Sequence, residues 1–335
     1  METLRAKRWG RHRGPRRADG AGAAAEVVPW GPGEARSRIE AAVERVGELV
    51  LGKEAAVRLA LAGLLARGHV LLEDLPGVGK TLLAQTLARV LGLEFRRIQF
   101  TSDLLPADVV GVAVYEGDTR SFVFHPGPLF AQVVLADEIN RATPKTQSAL
   151  LEAMEERQVT VDGTTRVLPR PFFVLATQNP RDQFGTFPLP ESQLDRFLLR
   201  LHLGYPDPAS ERELLRGRER RELLGRVEPA LSSDELLLAQ EAVEAVHVSE
   251  ALLDYVQALL DASRRGGLFP RGLSPRAGVA LLRAARAWAF MGGRGWVAPE
   301  DVQAVLPAVA GHRLESRAGD PGAGVGALLE AVPVP

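Results

Sequence analysis

The chain has no cysteine among its 335 residues. That absence excludes disulfides, cysteine-ligated zinc, iron–sulfur clusters and a thiol nucleophile, and it fits a reducing, cytoplasmic compartment. No apolar run reaches the roughly 18 residues that a transmembrane helix needs, so no membrane span is expected. Nor is there an excess of charge of either sign: 41 Lys and Arg oppose 42 Asp and Glu, a formal charge of −1. The whole-chain basic field that draws nucleic acid is therefore missing, and nucleic acid is not expected as a partner. What is present is an ordinary globular composition, 46% hydrophobic and 25% charged, with enough apolar surface for a core. At roughly 150 residues per domain the length suits about two domains.

Residues 1–33 read as a basic tail. Arg5, Lys7, Arg8, Arg11, Arg13, Arg16 and Arg17 precede the Gly/Ala-rich run Gly20–Ala25. No apolar stretch follows that basic start, so it is not a secretory signal; a disordered segment is expected. A basic arm touching an acidic membrane surface or nucleic acid is the other reading, with Trp9 and Trp30 as its only aromatic support. From Ile39 the pattern becomes regular. Ile39, Val43, Val46 and Val50 recur at helical spacing, Lys53–Arg67 continues as a second amphipathic helix, and His69–Leu72 reads as a buried strand. Helices are expected over Leu82–Leu91 and Thr146–Arg157, strands over Gln132–Ala136 and Pro171–Ala176. This alternation predicts an α/β fold: a parallel sheet with helices on both faces. Two segments break the rhythm. Gly111–His125 and Gln158–Leu168 alternate around Gly117-Asp118 and Asp162-Gly163, as β-hairpins do. After Pro206 the chain turns all-helical, with a capping box at Ser232 and Glu235. The expected division is a tail over 1–33, an α/β core over 34–206, a helical lid over 207–318 and a frayed tail over 319–335.

Four motifs carry chemistry. The first is Leu71-Leu-Glu-Asp-Leu-Pro-Gly-Val-Gly-Lys80-Thr81, a glycine-rich turn between a strand and a helix, the context a phosphate loop requires. Gly77 and Gly79 let the backbone curl and aim N–H groups at phosphate oxygens, with Pro76, Val78 and Leu82 completing the cradle. The helix start adds its positive end. Lys80 can reach the β- and γ-phosphates, and Thr81 offers a hydroxyl to Mg²⁺. The usual pattern has Gly where this chain has Asp74. Aspartate tolerates positive φ, but its carboxylate must point away from the phosphates. The second motif is Val133-Val-Leu-Ala-Asp137-Glu138, an apolar strand ending in two acids. Asp137 would hold Mg²⁺ and Glu138 would act as general base on the attacking water. The third, Val174-Leu-Ala-Thr177-Gln178-Asn179, ends a strand in an amide that could orient that water. The fourth, Leu189-Pro-Glu-Ser-Gln-Leu-Asp195-Arg196-Phe197, offers Arg196 as a guanidinium for a neighbouring subunit's phosphate. An Asn-Pro turn and an Asp–Arg surface pair would account for the last two taken alone.

Taken in order, the four motifs resemble the MoxR family of AAA+ ATPases, and the likeness runs from about Ile39 to about Arg313. Thr143–Met154 and Val297–Val302 are similar to that family as well. The resemblance implies a P-loop αβα core with a C-terminal helical lid, and it places the hairpins as the helix-2 and pre-sensor-1 inserts, the latter shared with magnesium chelatases and MCM helicases. It implies Arg276, in Leu273-Ser-Pro-Arg276, as a lid arginine facing the nucleotide, and Val50, Leu51 and Gly52 as a segment contacting adenine. It further implies ATP held between core and lid, Mg²⁺, a homo-oligomeric ring that is a hexamer, and a client protein, often one carrying a von Willebrand factor A domain. A magnesium-chelatase-like motor, a nucleic-acid motor and a nucleotide-gated scaffold are the alternatives. The intact Lys80, Asp137 and Glu138 oppose the scaffold, because a mere binder needs no general base.

Overall fold

The computed structural model describes residues 32–118, 120–179, 185–216, 220–265, 267, 269–314 and 321–334. The expected basic tail thus lies outside the described residues except at its end, where α1 (Pro32–Leu49) begins. Then come α2 (Glu54–Leu65), β1 (Val70–Glu73), α3 (Lys80–Val90), β2 (Phe95–Gln99), α4 (Pro106–Val110), β3 (Gly111–Glu116), β4 (Ser121–Pro126), β5 (Val133–Asp137), α5 (Pro144–Glu156), β6 (Gln158–Val161), β7 (Thr164–Val167), β8 (Phe173–Gln178), α6 (Glu191–Leu194) and β9 (Leu199–Leu201).

Five strands form one parallel sheet in the order β2-β5-β8-β1-β9. Strands β5 and β8 are buried at every position, as continuous apolar runs in a doubly covered parallel sheet must be. Side chains alternate between two cores, the period-2 rule of a strand. Val70, Leu72, Val133, Leu135, Phe173 and Leu175 enter one apolar cluster, while Leu71, Val134, Ala136, Val174 and Ala176 enter the other. The α/β fold read from the motifs is therefore the one observed. Strands β2 and β9 escaped the sequence reading. β2 is Phe-Arg-Arg-Ile-Gln at the sheet edge with only Ile98 buried, and β9 is three residues long.

Both inserted hairpins form. β3 pairs with β4 and β6 with β7, each antiparallel. The second turns through Asp162 and Gly163 at φ 50° and 74°, the left-handed pair that a two-residue turn needs. At the root of the first, a Cβ on Gly127 would lie 2.4 Å from the Val109 carbonyl oxygen, so only glycine fits.

The chain leaves β9 through residues 202–207 and enters seven helices: α7 (Pro208–Leu215), α8 (Arg220–Arg226), α9 (Ser233–Glu244), α10 (Glu250–Arg265), α11 (Pro275–Met291), α12 (Pro299–Ala310) and α13 (Pro321–Ala331). The Ser232–Glu235 capping box is made in both directions. These helices do not hang free. Their apolar residues join the cluster on the α1–α2 face, where Gln240 Nε2 donates to the Leu64 carbonyl at 2.8 Å. The frayed tail expected over 319–335 is corrected: α13 packs on α10 and α12 with Val325 and Leu328 buried. Its Gly/Ala content reads as loop in isolation, but small residues let a helix lie close to its neighbours, and tertiary burial overrides weak propensity.

Candidate active site

In a parallel sheet the loops beyond the carboxyl ends of the strands make the natural crevice. Here β1, β5 and β8 end there side by side. The loop after β1 turns through Gly77 and Gly79 at φ 87° and 100°, a conformation in which an L side chain would be strained. Lys80 opens α3, and its Nζ donates back across the loop to the carbonyl oxygens of Asp74 at 2.6 Å and Leu75 at 3.0 Å. Burial pushes the Lys80 pKa down, opposed by the nearby Asp74, Asp137 and Glu138 carboxylates. Asp74 is not at positive φ, so replacing the usual glycine carries no backbone strain. Its Oδ2 turns away from the loop, accepting from the N–H groups of Leu203 at 2.5 Å and Gly204 at 2.7 Å, while Oδ1 accepts from the neighbouring Leu75 N–H at 3.0 Å.

The acids at the end of β5 face this loop. Asp137 Oδ1 accepts the Thr177 hydroxyl at 2.6 Å, and Oδ2 accepts Nε and Nη2 of Arg97 at 3.1 and 2.5 Å. Glu138 takes a left-handed conformation, φ 57°, costing about 1–2 kcal/mol for a residue with a Cβ. Its N–H donates to Thr177 Oγ1 at 2.8 Å, which pins the turn. The Glu138 carboxylate is gripped from two sides. Asn179 Nδ2 donates to Oε1 at 3.2 Å; Arg141 Nε lies 3.0 Å from Oε2. Asn179 is in turn buried and held by Asn140, whose amide donates to its carbonyl. Thr177 and Arg97 were given no role at this site by the sequence reading. Thr177 lay inside a quoted motif, and its adjacency to the end of an apolar strand was the available signal. Arg97 lay in a polar edge strand that carried none.

A cavity of about 620 Å³ joins these parts, lined by Pro76, Gly77, Gly79, Lys80, Thr81, Leu82, Gln85, Asp137, Glu138 and Asn179. Val78 packs against the apolar core instead. Val50 and Gly52 line a second cavity of about 590 Å³ beside α1 and α2, and Leu51 lines neither. The donor set suits Mg²⁺ brought with a nucleotide. Thr81 and Asp137 face one cavity with Lys80 between loop and acids. Among the described residues no cluster of three His, Cys, Asp or Glu forms a protein cage, and Mg²⁺ is ordinarily held by one or two carboxylates plus substrate phosphates and water.

Arg196 and Arg276 are elsewhere. Both contact Glu155, at 3.1 and 3.2 Å, and they border a cavity of about 180 Å³ with Gly68 and His69. Those two residues precede β1, whereas the phosphate loop follows it. A strand of this length spans about 13 Å at roughly 3.3 Å per residue, so the pair lies at the opposite edge of the sheet. Among the described residues none beyond Asn179 lines the phosphate cavity, so Arg276 does not border the cavity of its own chain. The lid docks on the α1–α2 face, and that docking carries Arg276 to Arg196.

The family model for ATPases associated with various cellular activities (AAA) matches residues 69–199, and that for the AAA lid domain matches residues 264–332. The chain is 47% identical to the uncharacterised protein YeaC of Bacillus subtilis, over 82% of this chain and 85% of that protein. It is 44% identical to the chaperone MoxR1 of Mycobacterium tuberculosis, over 82% and 75%. The crystal structure of a candidate ATPase from Cytophaga hutchinsonii superposes with a TM-score of 0.84 at 38% identity, covering 91% of this chain and 97% of that one. With the phosphate loop, the paired acids and the helical lid all in place, the chain belongs to the MoxR family of AAA+ ATPases.

Proposed function

We propose that this ATPase is a chaperone-like motor that hydrolyses ATP to ADP and phosphate in a homo-oligomeric ring, a hexamer, and uses the cycle to remodel or mature a client protein. Lys80 and the loop N–H groups bind the phosphates. Thr81 and Asp137 hold Mg²⁺, which when bound offsets phosphate charge. Glu138 takes the proton of the attacking water, and Asn179 keeps its carboxylate aimed. Val50, Leu51 and Gly52 contact the adenine. Arg196 and Arg276 reach the γ-phosphate of the next subunit, because their edge of the sheet is remote from their own phosphate loop.

The observation that carries this reading is the pairing of both arginines on Glu155, away from the cavity lined by Lys80, Thr81, Asp137, Glu138 and Asn179. The chain is 44% identical to a protein named as a chaperone. The hairpin β3–β4 exposes Val112, Val114, Tyr115 and Phe122, the last at 73%, an apolar surface suited to gripping a client. A client with a von Willebrand factor A domain and a cytoplasmic setting complete the proposal. The test is specific ATPase activity against protein concentration, beside a Glu138→Gln control. Activity that rises with concentration and vanishes in the control supports the ring; activity independent of concentration overturns it.

A further inference from the structure

We propose that Asp74 is a positioning residue that transmits occupancy of the phosphate loop to the connection between core and lid. Its carboxylate accepts two consecutive N–H groups of that connection, Leu203 at 2.5 Å and Gly204 at 2.7 Å, while its other oxygen closes on its own neighbour, Leu75 N–H, at 3.0 Å. A carboxylate accepting adjacent amides makes short, charge-assisted bonds. A glycine at position 74 could make none of them. Gly204 is itself at φ 62°, and its carbonyl accepts the buried Lys53 ammonium at 2.9 Å. The next contact outward is Gly52, where a Cβ would lie 2.6 Å from the Asp207 carboxylate at the cap of α7. Hydrogen bonds therefore tie the phosphate loop to residues 203–204 and these to Lys53, and the chain runs from Gly204 directly into the α7 cap at Asp207.

The input end of this path is Lys80. Its ammonium is hydrogen-bonded to the backbone carbonyls of Asp74 and Leu75, the same two residues whose side chain and N–H make the Asp74 contacts. A triphosphate that draws Lys80 away from these carbonyls changes the backbone to which the Asp74 carboxylate is attached, and 203–204 must follow or let go. Glu73 supplies a parallel tie: Arg200 Nη1 donates to it at 3.0 Å, and Nη2 of the same arginine donates to the Gly311 carbonyl at the end of α12. That second tie holds β1 to β9 when Asp74 is changed, so the Asp74 variants are expected to fold.

The test is hydrogen–deuterium exchange of the full-length protein over residues 199–210, with and without ATPγS and Mg²⁺, in the wild type, Asp74→Gly and Asp74→Asn. Nucleotide affinity is measured separately by titration calorimetry. In the wild type, the Leu203 and Gly204 amides should be protected and should change their exchange on nucleotide addition. In Asp74→Gly they should exchange at least about tenfold faster, as loss of charge-assisted bonds implies, and no longer respond to nucleotide, while affinity stays within about threefold. Asp74→Asn keeps an acceptor and should restore part of both the protection and the response. Steady-state turnover should show kcat falling in Asp74→Gly with KM nearly unchanged. If the two amides keep their protection and their nucleotide response in Asp74→Gly, or if that variant loses nucleotide binding outright, Asp74 is not the link and the proposal fails.

Discussion

Arg196 and Arg276, 80 positions apart in the chain, share the carboxylate of Glu155, at 3.1 Å from Nε of the first and 3.2 Å from Nη1 of the second. Arg276 also lies 3.5 Å from Asp195, which Arg313 holds as well, so three guanidiniums face two carboxylates and leave a surplus of positive charge, an arrangement suited to an incoming phosphate. Arg196→Ala should leave ATP affinity unchanged and lower turnover about a thousandfold, the scale of other arginine fingers. Mixing that variant with Lys80→Ala, each inactive alone, should restore measurable hydrolysis, since a mixed interface pairs one intact loop with one intact finger. No recovery in the mixture, with assembly verified by sedimentation, would place the finger within the same chain.

Lys80→Ala should abolish nucleotide binding in a calorimetric titration. The ammonium is the one cation lining the phosphate cavity among the described residues, and an unchanged Kd would remove the phosphate-loop assignment.

Asn179→Ala removes the amide that donates to Glu138 Oε1 at 3.2 Å. Binding should persist and kcat should fall about a hundredfold, the cost of losing one oriented donor at a reacting centre. Equal losses in kcat and affinity would mean that Asn179 shapes the cavity rather than the base.

Acid should destabilise the fold through His69. Its Nε2 bonds the Met154 carbonyl, so that nitrogen carries the proton, and its Nδ1 accepts the Val174 N–H at 3.0 Å. Burial lowers its pKa from 6.5 to about 4. The unfolded chain therefore binds a proton that the native ring refuses between these values. Stability is full above about pH 6.5 and falls as pH drops toward 4, by about 3 kcal/mol for this residue. Burial lowers the His312 pKa too, and it adds to the same slope. Thermal melts at pH 7.5 and 5 should show the loss, and His69→Gln should start less stable but lose less on acidification. An equal loss in both proteins would assign the acid sensitivity to other groups.

Leu328→Ala in α13 should cost about 2–5 kcal/mol in chemical denaturation, as a fully buried leucine does. A change near zero would return residues 321–331 to a frayed tail.

The phosphate loop was legible in the sequence because its chemistry is local. Gly77, Gly79, Lys80 and Thr81 lie within five consecutive residues, and each is tied to its task by φ or by reach. Asp137 and Glu138 were legible for a related reason: they end a strand apolar on both faces, and a parallel strand buried on both faces must present its first polar residues at the carboxyl edge. The hairpin around Asp162-Gly163 was readable from two residues that accept positive φ. Arg97 was not legible, since β2 is an edge strand with polar residues at three of five positions and belongs to the sheet only by pairing with β5.

Long-range packing decided the rest. The order of residues could name Arg276 as a lid arginine, but the side of the sheet it faces depends on where the lid docks. That is decided by the apolar cluster shared among α1, α2 and α11, a sum of many weak contacts that no motif encodes. The direction of the Asp74 carboxylate is of the same kind, since its acceptor role exists only once β9 lies beside β1 and brings the Leu203 and Gly204 amides within 2.7 Å. The sequence by itself determined the parallel α/β core and the groups that meet the phosphates, because strand periodicity and backbone conformation act over a few residues. Only the tertiary structure decided which arginines stand together and what the phosphate loop is fastened to, because those depend on surfaces far apart in the chain burying one another.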